Sequence, residues 1–134
     1  MVLTLTMAGR YERFTKSGYV LPKYLMPWGS RSILWEVIST LTRGGHFEDV
    51  FLVGNERDVN YMPHVRRIMG DFKIPMENLI LTGDTTGQAS TGYIALEHLH
   101  DSTCPIVFAN VDTLLYRRDY GAMKEALKHS LGFI

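Results

Sequence analysis

Val2-Leu3-Thr4-Leu5-Thr6-Met7-Ala8-Gly9, then Arg10-Tyr11-Glu12-Arg13-Phe14 and the run from Gly18 to Lys23, opens the chain and decides how the rest is read. Val2 to Thr6 is β-prone and free of charge, as a parallel strand buried on both faces would be. Met7-Ala8-Gly9 ends it. A small-residue turn after such a strand lets backbone N–H groups approach a phosphate. Residues 10–30 carry Gly, Pro, Tyr and charge without a sustained period, and predict a long functional loop. Within it Arg13 can make paired hydrogen bonds to phosphate oxygens, and Lys23 can place a compact positive charge. Pro22 fixes the chain immediately before Lys23. Taken singly, Arg10, Arg13, Lys16 and Lys23 read as solvated loop charges; the strand-end position sets Arg13 and Lys23 apart.

Beyond the loop, strands and helices alternate. Ser30 or Ser32 can cap a helix over about 32–43, where Ile33, Leu34, Val37, Ile38 and Leu41 form one apolar stripe and Gly44-Gly45 stops it. Asp49 to Val53 predicts a second strand, and Gly54-Asn55 a turn. Asp58 is expected to cap a helix over about 59–70, although Pro63 fits better in the first turn of a helix starting near Met62. Asn78 to Leu81 predicts a third strand and residues 82–87 a polar turn, where Asp84 or Thr86 can cap the next helix. That helix, over about 88–99, is expected to pack through Ala89, Tyr93, Ala95, Leu96 and Leu99. Gly92 within it points to close packing, since glycine weakens a helix. Pro105 to Asn110 predicts a fourth strand. A last helix over about 119–130 offers Ala122, Met123, Ala126, Leu127 and Ser130 as an inner face.

This alternation predicts a single α/β domain over residues 1–134, Rossmann-like, with a mostly parallel sheet and helices on both faces. Ligands in such sheets bind beyond the strand carboxyl ends, near a switch in strand order. Segments 7–23, 82–88 and 110–112 all fall at that edge. There Asp112 can coordinate magnesium, a hard cation that bridges phosphates, or can cap a turn over 113–115.

Composition removes several classes. The chain has 134 residues, 46% of them hydrophobic, which is ample for a core. Fourteen basic and fourteen acidic side chains balance, so no broad basic field gathers nucleic acid or anionic lipid. A neutral surface is also compatible with a homo-oligomer. The single cysteine, Cys104, reads as a buried or half-buried small hydrophobe. No signal peptide or membrane-length apolar run is visible, and a reducing, cytoplasmic compartment is expected. The five histidines lack zinc spacing, and the aromatic residues are too scattered for a base-stacking platform. Gly-x-Gly-x-x-Gly and the P-loop pattern are both absent.

Met7-Ala8-Gly9, Arg13-Phe14, Gly18-Tyr19 and Pro22-Lys23 together resemble the signature loop of sugar-phosphate nucleotidyltransferases, commonly Ala-Gly-x-Gly-x-Arg-Phe followed at a distance by Pro-Lys. Thr86-Gly87-Gln88-Ala89 resembles that family's base-side turn, and Asn110-Val111-Asp112 its metal-binding strand end. The resemblance implies an enzyme joining a nucleoside triphosphate to a sugar 1-phosphate with release of pyrophosphate. It implies that Ala8 and Gly9 approach the nucleotide, and that Arg13 contacts triphosphate oxygens. Lys23 would bridge nucleotide and acceptor phosphates, Gly87 and Gln88 would lie near the base, and Asp112 would hold a magnesium ion (Mg2+). Two departures stand out. Tyr11 replaces the second loop glycine and is expected to obstruct the backbone or force another turn. The family's domain is also longer, with acceptor-binding residues and a second metal-binding aspartate after the point reached at Ile134; Asp119 is too close to Asp112, and too helical, to replace it. A non-catalytic nucleotide-binding or oligomer-forming domain is the alternative expectation.

Overall fold

The computed structural model describes residues 1–99, 103–115 and 117–129. Four strands, β1 (Val2–Met7), β4 (Asp49–Asn55), β5 (Leu79–Thr82) and β6 (Ile106–Asn110), form one parallel sheet in the order β5-β4-β1-β6. Val2 pairs with Asp49 on one side and Ile106 on the other, and Thr6 with Val53 and Asn110. Every residue of β1 is buried, as its uninterrupted apolar and threonine pattern requires of a central parallel strand.

Alternation along β1 sends its side chains to two layers. Leu3, Leu5 and Met7 join a core with Leu34, Val37, Ile38 and Leu41 of α2 (Ile33–Thr42) and Met62, Val65 and Met69 of α3 (Met62–Asp71). On the other face Val53 and Ile80 pack with Ala95 of α4 (Gln88–His98). Tyr120, Met123 and Leu127 of α5 (Tyr120–Leu127) return to the first layer. The architecture is therefore a Rossmann-like α/β sheet with helices on both faces. The chain steps outward from β1 to β4 to β5, then crosses back to place β6 on the other side of β1. That reversal opens a crevice between the carboxyl ends of β1 and β6.

Ser32 caps α2, its hydroxyl accepting from the Trp35 N–H at 3.3 Å. Asp119 caps α5 by accepting from the Ala122 N–H at 2.9 Å. α3 starts at Met62 with Pro63 in its first turn, where a missing N–H costs nothing.

Four expectations are corrected. Residues 10–30 are not a structureless loop: they hold α1 (Glu12–Lys16), a 3-10 turn over Lys23–Leu25, and the first strand of a two-residue hairpin, β2 (Pro27–Trp28) with β3 (Arg31–Ser32). Pieces of two to five residues are too short for periodicity to register. Asp58 does not cap a helix; Asn55 caps the 3-10 segment Glu56–Tyr61 by accepting from the Arg57 N–H at 2.9 Å. α4 turns Thr91, Gly92 and Ala95 inward, while Ala89, Tyr93 and Leu96 are exposed. A Cβ on Gly92 would lie 3.0 Å from the Phe108 ring, so close approach to the sheet selects the face with the smallest side chains over the face with the largest. In α5, Tyr120 rather than Ala122 and Ala126 is buried, and Ser130 lies outside the described residues. Cys104 is half-buried, its thiol donating to Glu48 at 3.1 Å.

Candidate functional site

The carboxyl ends of all four parallel strands deliver polar groups to one edge, and two clusters form there. The first surrounds a cavity of about 290 Å³ in the β1–β6 crevice, lined by Thr6, Gly9, Arg10, Lys23, Gly87 and Gln88 among others. A Cβ on Gly9 or on Gly87 would meet nothing within 4 Å beyond its chain neighbours, so backbone there is open to a ligand's approach. Lys23, on the 3-10 turn that begins after the buried Pro22, donates from Nζ to Asp112 Oδ2 at 2.7 Å. Their side chains are 25% and 48% exposed. Two residues 89 positions apart thus meet at the cavity, a cation and a carboxylate that a phosphate and a cation could respectively engage.

The second cluster braces the opening turn. Asn55, 2% exposed at the end of β4, donates from Nδ2 to the Ala8 carbonyl at 3.3 Å and to Asp84 Oδ1 at 3.0 Å. Asp84, just past β5, also receives Arg10 Nη2 at 2.8 Å and Arg57 Nη1 at 3.2 Å. The Arg10 hydrogen bond, seconded by Asn55, holds the Asp84 carboxyl below its usual range. Arg57 donates to the Gly9 carbonyl and lies 4.9 Å from the centre of the Tyr11 ring. Beneath it the buried Asp58 accepts the hydroxyls of Tyr11 and, at 3.1 Å, Tyr24. Burial first, and then the bond to Asp58, pushes the Tyr11 phenol up to about 12.

This bracing answers the question of Tyr11. Its hydroxyl is drawn to Asp58, and its side chain lines a neighbouring depression with Arg57 and Tyr61 rather than the β1–β6 cavity. The side chain that replaces glycine is therefore turned away from the crevice.

The sequence-predicted residues separate into two groups. Gly9, Lys23, Gly87 and Gln88 line the cavity, and Asp112 is tied to it through Lys23. Ala8 is buried behind the turn, its carbonyl held by Asn55. Arg13 is exposed on α1 and is not among the cavity's lining residues; Arg10 is. Asp119 is occupied as a helix cap. Asn55, Arg57 and Asp58 were not singled out as functional by sequence reasoning. The available signal was their position: polar residues directly after a buried parallel strand belong to the ligand edge. Among the described residues no group of three or more His, Cys, Asp or Glu could hold a metal ion, and no helix is long and apolar enough to cross a membrane.

No protein-family model and no curated sequence matches the chain. Solved structures do. A nucleoside-diphosphate-sugar pyrophosphorylase from Vibrio cholerae matches with a TM-score of 0.68 at 21% identity, over 89% of this chain and 50% of its own. A Mycobacterium tuberculosis H37Rv protein solved in complex with manganese matches with a TM-score of 0.56 at 16% identity, over 95% of this chain and 57% of its own. A 4-diphosphocytidyl-2C-methyl-D-erythritol synthase from Anaerococcus prevotii matches with a TM-score of 0.55 at 17% identity, over 82% and 42%. The chain spans about half the length of these solved proteins. The shared architecture shows that this chain carries the Rossmann-like α/β fold of these solved proteins.

Proposed function

We propose that the chain is the nucleotide-binding portion of a nucleotidyltransferase that joins a nucleoside triphosphate to a sugar 1-phosphate and releases pyrophosphate. The observation that carries this reading is the meeting of Lys23 and Asp112 at 2.7 Å beside a glycine-walled cavity at the strand-order switch. The acceptor's phosphate oxygen would attack the α-phosphorus, and pyrophosphate would leave on the opposite side. No protein nucleophile is needed, so alignment and charge stabilisation would account for the rate.

Each residue then has a role. The Gly9 and Gly87 backbones would approach phosphate and base, with Gln88 beside the base. The Lys23 ammonium would leave Asp112 for the phosphates being joined. Arg13, outside the cavity lining, would reach the triphosphate only by movement of the loop. The donor set fits magnesium to the extent of one half-exposed carboxylate: Mg2+ binds through one or two carboxylates together with phosphate oxygens and waters. Asp112 would hold it, and the ion would neutralise phosphate charge. The setting is taken as cytoplasmic, the ligands as a nucleotide and a sugar phosphate, and neither nucleic acid nor membrane is part of the reading.

A pyrophosphate-release assay with magnesium, a nucleotide panel and a sugar-phosphate panel tests the proposal. Turnover with at least one pair is expected. Nucleotide binding without turnover would favour the alternative, a non-catalytic nucleotide-binding or oligomer-forming module. Neither binding nor turnover would defeat the enzyme and the nucleotide-binding module together, and leave only the oligomer-forming one.

A further inference from the structure

We propose that Arg10 is a triphosphate-contacting cation of the β1–β6 cavity and that Asp84 is its positioning residue; this rests on the nucleotide-binding reading above. Arg10 follows Gly9 directly and stands between the two hollows, lining the β1–β6 cavity together with Lys23 and the neighbouring depression together with Tyr11. A guanidinium on a loop would ordinarily sample many rotamers and lose about 2 kcal/mol of side-chain entropy on being fixed. Here it is already held: Arg10 Nη2 meets Asp84 Oδ2 at 2.8 Å. Asp84 is in turn aimed from below, because the buried Asn55 amide donates to its other oxygen at 3.0 Å and to the Ala8 carbonyl at 3.3 Å. Arg57 adds a third donor at 3.2 Å.

The chain of contacts runs from a buried strand end to a cavity wall, Asn55 to Asp84 to Arg10. Asp84 Oδ2 on Nη2, and Glu12 Oε1 at 3.6 Å from Nη1, engage only part of a guanidinium that carries five N–H donors, so Arg10 can meet a phosphate while keeping Asp84. Both arginines that flank the opening turn are tethered to the same carboxylate, which orients them and shields their mutual repulsion. A ligand with more phosphate charge gains more from Arg10, so the residue favours a triphosphate over a monophosphate of the same nucleoside.

The test measures dissociation constants of wild type, Arg10→Ala, Arg10→Lys and Asp84→Asn for a nucleoside triphosphate and its monophosphate, with magnesium, at two salt concentrations. Arg10→Ala is expected to weaken triphosphate binding about tenfold or more and to leave monophosphate binding within about twofold. Arg10→Lys should recover part of the loss, since charge survives and the fork does not. Asp84→Asn should weaken the triphosphate by a smaller factor with an unchanged melting temperature. Triphosphate binding unaltered by Arg10→Ala, or equal losses for both nucleotides, would overturn the assignment while leaving the nucleotide reading intact. Wild-type protein that binds no triphosphate would overturn that reading, and this proposal with it.

Discussion

Replacing Asp58 by alanine should destabilise the fold by about 3 kcal/mol, although Asp58 caps no helix and lines no part of the β1–β6 cavity. The side chain is 2% exposed and accepts two phenolic hydroxyls, from Tyr11 and from Tyr24, whose residue is fully buried. Removing the acceptor strands the Tyr24 hydroxyl away from water, at a cost of about 1–3 kcal/mol. Tyr11 is only half-buried and can turn to solvent, so its loss falls near the lower end of that range. For a chain of this length, about 3 kcal/mol corresponds to a fall in Tm of about 10 °C. Thermal and urea unfolding by circular dichroism would measure it. A double-mutant cycle sharpens the claim. Tyr24→Phe should destabilise the wild type by about 1 kcal/mol but stabilise Asp58→Ala by about as much, because it deletes the stranded hydroxyl. If Asp58→Ala melted within about 2 °C of the wild type, or Tyr24→Phe cost the same in both backgrounds, the buried clasp would not be holding the opening loop.

Three further outcomes are expected. Lys23→Ala should lower pyrophosphate release about a hundredfold or more yet shift stability by less than about 1 kcal/mol, since its partner Asp112 is half-exposed; a large loss of Tm without loss of activity would reverse the assignment. Gly92→Val should cost about 2 kcal/mol in urea unfolding, because even a Cβ would stand 3.0 Å from the Phe108 ring and the branched carbons add to that overlap; an unchanged midpoint would show that α4 can lift from the sheet. Burial, and then the bond to Asp58, pushes the Tyr11 phenol up to about 12 from an ordinary 10.0. A raised pKa means that its contribution is whole below pH 10 and lost as pH rises towards 12. The alkaline decline in stability should therefore be shallower in Tyr11→Phe, which spectroscopic titration combined with unfolding at each pH would show.

Much of the site was legible in the order of residues. The short polar segments at 7–23, 82–88 and 110–112 come directly after apolar runs, and a parallel sheet brings such positions to one edge whatever the details of packing. That is why Gly9, Lys23, Gly87 and Gln88 line one cavity and Asp112 meets Lys23 there. Arg13 shows the limit. A resemblance in spacing does not say on which side of a five-residue helix a side chain projects, and α1 leaves Arg13 exposed and outside the cavity lining. Tyr11 shows it too. Its bulk was readable, but the acceptor that draws it aside, Asp58, lies 47 residues away.

From sequence alone came the alternation of strands and helices, the burial of β1, and the polar character of the strand exits, because these depend on periodicity and turn chemistry within a few residues. The tertiary structure alone decided strand order, the inward face of α4, and the pairing of Arg10 with Asp84 and of Asp58 with two tyrosines. Those depend on contacts between residues far apart in the chain. Such contacts are selected by shape and by the need to satisfy buried polar groups, not by local pattern.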